Sequence, residues 1–360
     1  MLARTPDAPE GAKGLSLFVV PKFLVNADGS LGERNAVTTV AIEHKLGIHG
    51  SPTCVLAYEG ATGYLVGEIG QGLAGMFVMM NQERVGVGVQ GTALTERALQ
   101  QAAGYAAERL QGPVIDRPAG TPIAEHPDVR RLLLSMSSQA YASRSLGVLV
   151  NDLFDRGEAD ATALAEFLVP VLKGWSTEQA ILATSDGVQV HGGMGFIEET
   201  GAAQHYRDVK ITTIYEGTTA IQSNDLLGRK LLRNQGAVAE AFFAQVAETS
   251  SALAGSDNPV ATRTAERLDR AVASARTATT SLLGFASSLR DASAVSVPYL
   301  MLLGTLAGAW QHALAVAAVL KHDALTDADT ARLTAADFYG AHHLPQVHAL
   351  AETVASGETA

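Results

Sequence analysis

The sequence predicts a mainly α-helical fold preceded by a partial antiparallel β domain. Three observations predict it. Residues 1 to about 70 hold four short runs rich in Val, Ile, Leu and Thr, separated by turn-forming residues. From Leu73 to Leu110 apolar residues recur at three and four, and the run ends at Gly112-Pro113. Beyond Gly236 the chain continues as Ala-rich helical segments with no solenoid period. We therefore divide it into a β piece (1–70), a helical bundle (71–235) and a further helical block (236–360).

The first expected strand, 15–20, is apolar and closed by Pro21; a turn cluster, 26–30, follows. The other three are 37–42, 53–58 and 63–67. In the bundle, helices are expected over 73–110, from His126-Pro127-Asp128 to about Arg156, from Asp160 to about Asp186, and from Glu216 to about Leu232. The last block reads as helices over 237–254, 259–289, 293–321 and 328–354.

Composition narrows the function. The net charge of -11 argues against general nucleic-acid binding, which needs a basic face. The single cysteine, Cys54, allows no internal disulfide and fits a reducing cytoplasm. Tyr299 to Leu320 carries no acidic or strongly basic residue, but Gln311 and His312 sit at its centre. Central polar residues are costly in lipid, so we read a buried bundle helix and not a membrane span.

The chemistry centres on Ile214-Tyr215-Glu216-Gly217-Thr218-Thr219. A Glu opening a helix can simply complement the helix dipole. Here Gly217 lets a ligand approach the backbone, and Tyr215 supplies a wall against water. A carboxylate so placed suits proton abstraction. Upstream, Gly192-Gly193-Met194-Gly195 lacks the GxGxxG spacing of a dinucleotide fingerprint and does not join a strand to a helix.

Taken together, Tyr215-Glu216-Gly217-Thr218, Ile221-Gln222, Leu227-Gly228-Arg229-Lys230, Tyr206-Arg207-Asp208 and the run 188–196 resemble, in order, segments of the acyl-CoA dehydrogenases. The resemblance implies that family's helical bundle, FAD as cofactor and an acyl-CoA thioester as substrate. It makes Glu216 the catalytic base. Tyr215 and Gly217 become substrate-side neighbours, and Asn81 and Arg84 of Asn81-Gln82-Glu83-Arg84 become contacts to the acyl-CoA arm. Glu83 is a second candidate base, because some members place their Glu on this helix. Gln189, Val190, His191, Gly192 and Gly193 inherit contacts to the adenosine end of FAD in a neighbouring subunit. Arg109 inherits the FAD pyrophosphate, as bidentate Arg–phosphate pairing suggests. Thr218 and Ala220 match further FAD contacts, and Ala220 departs from a Gln often found there. No metal site is assigned.

The resemblance further implies a homodimer or homotetramer and an electron-transfer flavoprotein as acceptor. The last block, with Phe338-Tyr339-Gly340-Ala341-His342-His343-Leu344-Pro345, resembles the larger bacterial branch of the family, which includes enzymes acting on methylthiopropanoyl-CoA. The likeness covers only the family's later portion. We expect a fragment, with unpaired sheet edges and exposed apolar surface, or else a non-catalytic assembly subunit.

Overall fold

A computed structural model describes residues 1–358, which fall into two compact units, Met1–Glu83 and the chain from Arg84 onward. The first unit is antiparallel β. Strands β1 (Leu2–Arg4), β2 (Leu15–Val19), β3 (Phe23–Val25), β4 (Leu31–Arg34), β5 (Val37–Ile42), β6 (Cys54–Tyr58) and β7 (Tyr64–Val66) form one three-stranded sheet, β1-β2-β7, and two hairpins, β3-β4 and β5-β6. Leu17 stands opposite both Leu2 and Val66, which fixes the register. The buried Asn35 staples the connections. Its Nδ2 donates to Pro21 O (2.9 Å) and Thr62 O (2.8 Å), and its Oδ1 accepts from Thr62 N at 2.9 Å.

The four expected strands are present. The extra ones, β1, β3 and β4, are three or four residues long, too short for an alternating pattern to show. Val40, Ile42, Leu56, Tyr64 and Leu65 are exposed, so the expected apolar surface is there.

The second unit is helical. Helix α1 (Gly72–Glu108) enters it at Arg84 and is followed by α2 (Pro127–Arg156), α3 (Ala159–His191), α4 (Ala202–Val209), α5 (Thr219–Asp225), α6 (Ala237–Ala254), α7 (Pro259–Gly284), α8 (Leu289–Ala294), α9 (Ser296–Val319), α10 (Asp327–His342) and α11 (Gln346–Ala355). The packing is continuous across residues 235 and 236. One apolar cluster runs from Val85, Leu168 and Leu226 through Leu268 and Leu306 to Val354. The two compact units meet within α1, between Glu83 and Arg84.

The physical reason is the crossing of α3 and α9. Trp175 is wholly buried, and a Cβ on Gly304 would stand 2.1 Å from its Cγ. Only the missing side chain lets the indole lie against the α9 backbone. The uncharged run is thus a core helix: 83% of its most apolar window is buried. His312 at its centre donates Nε2–H to Ser138 O (3.0 Å), and its ring packs between Tyr141 and Tyr339 at centroid distances of 4.9 and 4.8 Å.

Some expected limits move for local reasons. Helix α3 runs on to His191, where Gly192 turns left-handed (φ 60°) and ends it. The helix expected over 328–354 breaks at His343-Leu344-Pro345, because proline cannot extend an α-helix from within. Helix α7 stops at Gly284, and α5 passes into a π-helical turn, Leu226–Leu231.

Two outcomes are expected. Gly304→Ala overpacks the crossing and lowers unfolding free energy by about 3 kcal/mol, the upper end of the usual overpacking range; urea titration measures it. Burial pushes the imidazoles of His312 and His343 down to about 4, against 6.5 for a free histidine. Between those values the unfolded chain binds more protons than the folded one, so stability falls as pH drops from about 6.5 toward 4. Urea midpoints taken across that window should decline, and less steeply in His343→Gln.

Candidate active site

The segment expected to carry the chemistry is a tight turn between a 3-10 turn (Lys210–Thr213) and α5. Its backbone is left-handed at two successive residues, Glu216 (φ 55°) and Gly217 (φ 92°). For Glu216 that conformation costs on the order of 1–3 kcal/mol and persists only where surroundings impose it. A side chain at Gly217 would also collide: a Cβ there would lie 2.9 Å from Gln222 Nε2 and 3.0 Å from Ile221 Cγ2.

Two buried donors impose the turn. Lys173 Nζ, from the middle of α3, donates to Gly217 O at 2.6 Å. Gln222 Nε2 donates to Glu216 O and to Gly217 O, each at 3.1 Å. Both side chains belong to residues with no exposed surface. Thr218 then caps α5, its Oγ1 accepting from Ile221 N at 3.3 Å, and Thr219 Oγ1 donates to Glu178 Oε1 at 2.6 Å. The Tyr215 hydroxyl donates to Gln90 Oε1. Glu216 itself is half-buried.

Charges gather behind this turn. Burial pushes the Lys173 amine down to about 8; the carboxylates of Glu178 and Glu216 oppose the fall, and the Arg84 guanidinium adds to it. Arg84 is only 4% exposed, and its Nη1 pairs with Asp225 Oδ2 at 3.0 Å. Asp225 also meets Arg229 Nη1 at 3.4 Å. The residue expected to contact the acyl-CoA arm thus has one guanidinium nitrogen paired with a carboxylate inside the protein. Asn81 and Glu83 are exposed on the part of α1 that belongs to the first unit.

The expected cofactor contacts fall in two places. Arg109, Val190, His191, Gly192 and Gly193 line one open groove of about 640 Å³, together with Tyr105, Gln111 and His126. Its floor is the C-terminal end of α3. His191 Nδ1–H donates to Gly187 O at 2.7 Å, and the ring stacks on Tyr105 with centroids 4.5 Å apart. A Cβ at Gly192 or Gly193 would meet only open space, so the backbone there is accessible to a flat ligand. Arg109 is exposed at the rim, its Nη2 donating to Gln111 Oε1 at 3.2 Å. Gln189 is exposed but not among the groove's lining residues; Thr218 and Ala220 belong to the turn and the first residues of α5 and are exposed there.

Sequence reasoning missed Lys173, Glu178 and Tyr105, and took Gln222 only as part of the matching run, without a role. A signal for Lys173 existed. It is a lone charge within the apolar run 167–175, and a buried lysine needs a partner. Among the described residues no cluster of His, Cys, Asp and Glu could hold a metal ion.

Comparison with known proteins accords with this geometry. The family described as "Acyl-CoA dehydrogenase, C-terminal domain" matches residues 70–231, and "Acetyl-CoA dehydrogenase C-terminal like" matches 242–360. The chain is 48% identical over 352 residues to 3-methylmercaptopropionyl-CoA dehydrogenase of Ruegeria pomeroyi, covering 94% of this chain and 60% of that protein. It is 33% identical to the broad-specificity linear acyl-CoA dehydrogenase FadE5 of Mycobacterium tuberculosis, covering 98% and 63%. The chain thus spans about three fifths of the length of these relatives. In fold it is similar to ACDH-11 of Caenorhabditis elegans, solved in complex with C11-CoA (TM-score 0.79, 23% identity, covering 95% of this chain and 56% of that one). It is also similar to the acyl-CoA dehydrogenase of Bacillus anthracis complexed with FAD (TM-score 0.75, 22% identity, 96% and 60%). The chain belongs to the acyl-CoA dehydrogenase family.

Proposed function

We propose that this chain carries the catalytic base and part of the cofactor site of an FAD-dependent acyl-CoA dehydrogenase. In that reaction an acyl-CoA thioester becomes a trans-2-enoyl-CoA. The observation that carries the reading is the imposed left-handed turn at Glu216-Gly217, with its carboxylate half-buried and two buried side chains fixing its backbone. A carboxylate held in one place by groups that do not themselves react is preorganised for proton transfer.

In this reading Glu216 removes the α-proton of the thioester. Negative charge then grows on the thioester oxygen, and a backbone N–H such as that of Glu216 can stabilise it. Gly217 takes the positive φ of the turn and lets Gln222 and Ile221 pack closely behind the base, and Tyr215, tied to Gln90, walls one side. When bound, FAD supplies the acceptor for the β-hydride, and an electron-transfer flavoprotein then takes the electrons.

The residues present fit FAD. The groove offers a guanidinium at its rim, a stacked Tyr105–His191 pair as an aromatic wall, and a glycine backbone that a ring can approach. These suit a pyrophosphate beside an adenine. In the reading they serve the cofactor of a second copy of the chain, so the working form is a homodimer or homotetramer. Asn81 and Arg84 remain the candidate contacts to the CoA arm. Glu83 stays the alternative base.

The base is tested by turnover with FAD, an acyl-CoA and a dye acceptor in a form of the enzyme that is active. Glu216→Gln should lose dehydrogenation by several orders of magnitude and still bind acyl-CoA. Near-normal turnover in that variant, with Glu83→Gln inactive, would move the role to Glu83. Assembly is tested by sedimentation velocity at micromolar concentration, where at least a dimer is expected; a clean monomer rejects the shared groove.

A further inference from the structure

We propose that Lys173 is a positioning residue: with Gln222 it clamps the two carbonyls of the Glu216-Gly217 turn and so fixes where the Glu216 carboxylate stands. The proposal rests on the reading of Glu216 as the base.

The geometry is specific. Lys173 lies on α3, between Leu172 and Gly174, with no exposed surface. Its Nζ reaches Gly217 O at 2.6 Å, and Gln222 reaches the same oxygen and its neighbour at 3.1 Å. Two donors from two different helices thus converge on one dipeptide, the one whose backbone is left-handed at both residues. A carbonyl orientation fixes the adjoining peptide planes, and these set the direction of the Cα–Cβ bond of Glu216. The side chain's starting point is therefore determined from behind, by groups that never meet the substrate.

An apolar side chain of similar volume would fill the position equally well. Burying an ammonium is costly unless it is paired and hydrogen-bonded. What an apolar residue cannot do is donate. The groups around the amine fit the same role. Glu178 on its own helix and Glu216 on the turn oppose the loss of its proton, while Arg84 from α1 promotes it. The lysine is thus a charged donor held among carboxylates and aimed at the turn.

The test uses the full 360-residue chain and two variants, Lys173→Met and Gln222→Leu. Hydrogen exchange of the segment 214–220 is the first readout. Lys173→Met should lose at least tenfold protection there, while protection in α6, α7 and α9 stays within twofold of wild type. Gln222→Leu should loosen the same segment. Protection unchanged in Lys173→Met overturns the proposal, and so does a loss spread over the whole helical unit with a matching fall in melting temperature, because that is what a purely structural lysine gives.

The second readout is a pH profile. The folded amine titrates near 8 and a free lysine near 10.5. In that window the unfolded chain binds more protons, so wild-type stability should rise with pH from about 8 to 10.5 relative to Lys173→Met. Parallel profiles would mean a solvated amine and overturn the clamp. Failure of the base reading is separate: an active Glu216→Gln enzyme rejects Glu216 as base, whereas the exchange and pH results depend only on the clamp.

Discussion

Helix α3 is buried on nearly every side, and the rest of the helical unit is arranged around that constraint. From Phe167 to Thr177 every residue is buried. A helix so enclosed leaves no polar side chain able to turn to water, so its polar groups look for partners within the protein, which all but Trp175 Nε1 find. Ser176 donates to Leu172 O and to Gly88 O of α1, and Thr177 donates to Lys173 O. Lys173 cannot satisfy itself on its own helix, so a carbonyl must come to it. The carbonyl that comes is that of Gly217. The position of the candidate base is therefore tied to the polar accounting of the core.

Much of this was legible in the sequence. The change from strand to helix texture near residue 70, the helix over 237–254 and the burial of the uncharged run all follow from periodicity and composition. The motif around Glu216 and the glycines at 192 and 193 were found by resemblance, and Arg109 and residues 190–193 line one groove. What stayed hidden was long-range. Nothing near Arg84 in the chain indicates Asp225, 141 residues away. Helical spacing puts Asn81 and Arg84 on one face, yet only Arg84 is buried, because the covering element arrives from elsewhere in the sequence.

The two helical blocks show the same limit. Separate families match them, on either side of residues 232–241. Yet Trp175 from the first block lies against Gly304 of the second, and Ser223 Oγ meets Ser296 Oγ at 2.9 Å. The second block thus packs behind α3 and α5, the elements that hold the turn. Its burial of α3 from that side is part of what makes Lys173 a buried lysine, so a block with no candidate catalytic residue still shapes the site.

The same helix also separates the two halves of the site. Lys173, at the turn, and His191, at the groove, lie 18 residues apart on α3, which has no proline between them. At 1.5 Å per residue that is about 27 Å along a rigid element. A groove and a base so far apart are poorly placed to hold the same part of one ligand. They are well placed to serve different bound molecules. The length of α3 thus sets the spacing between the turn and the groove.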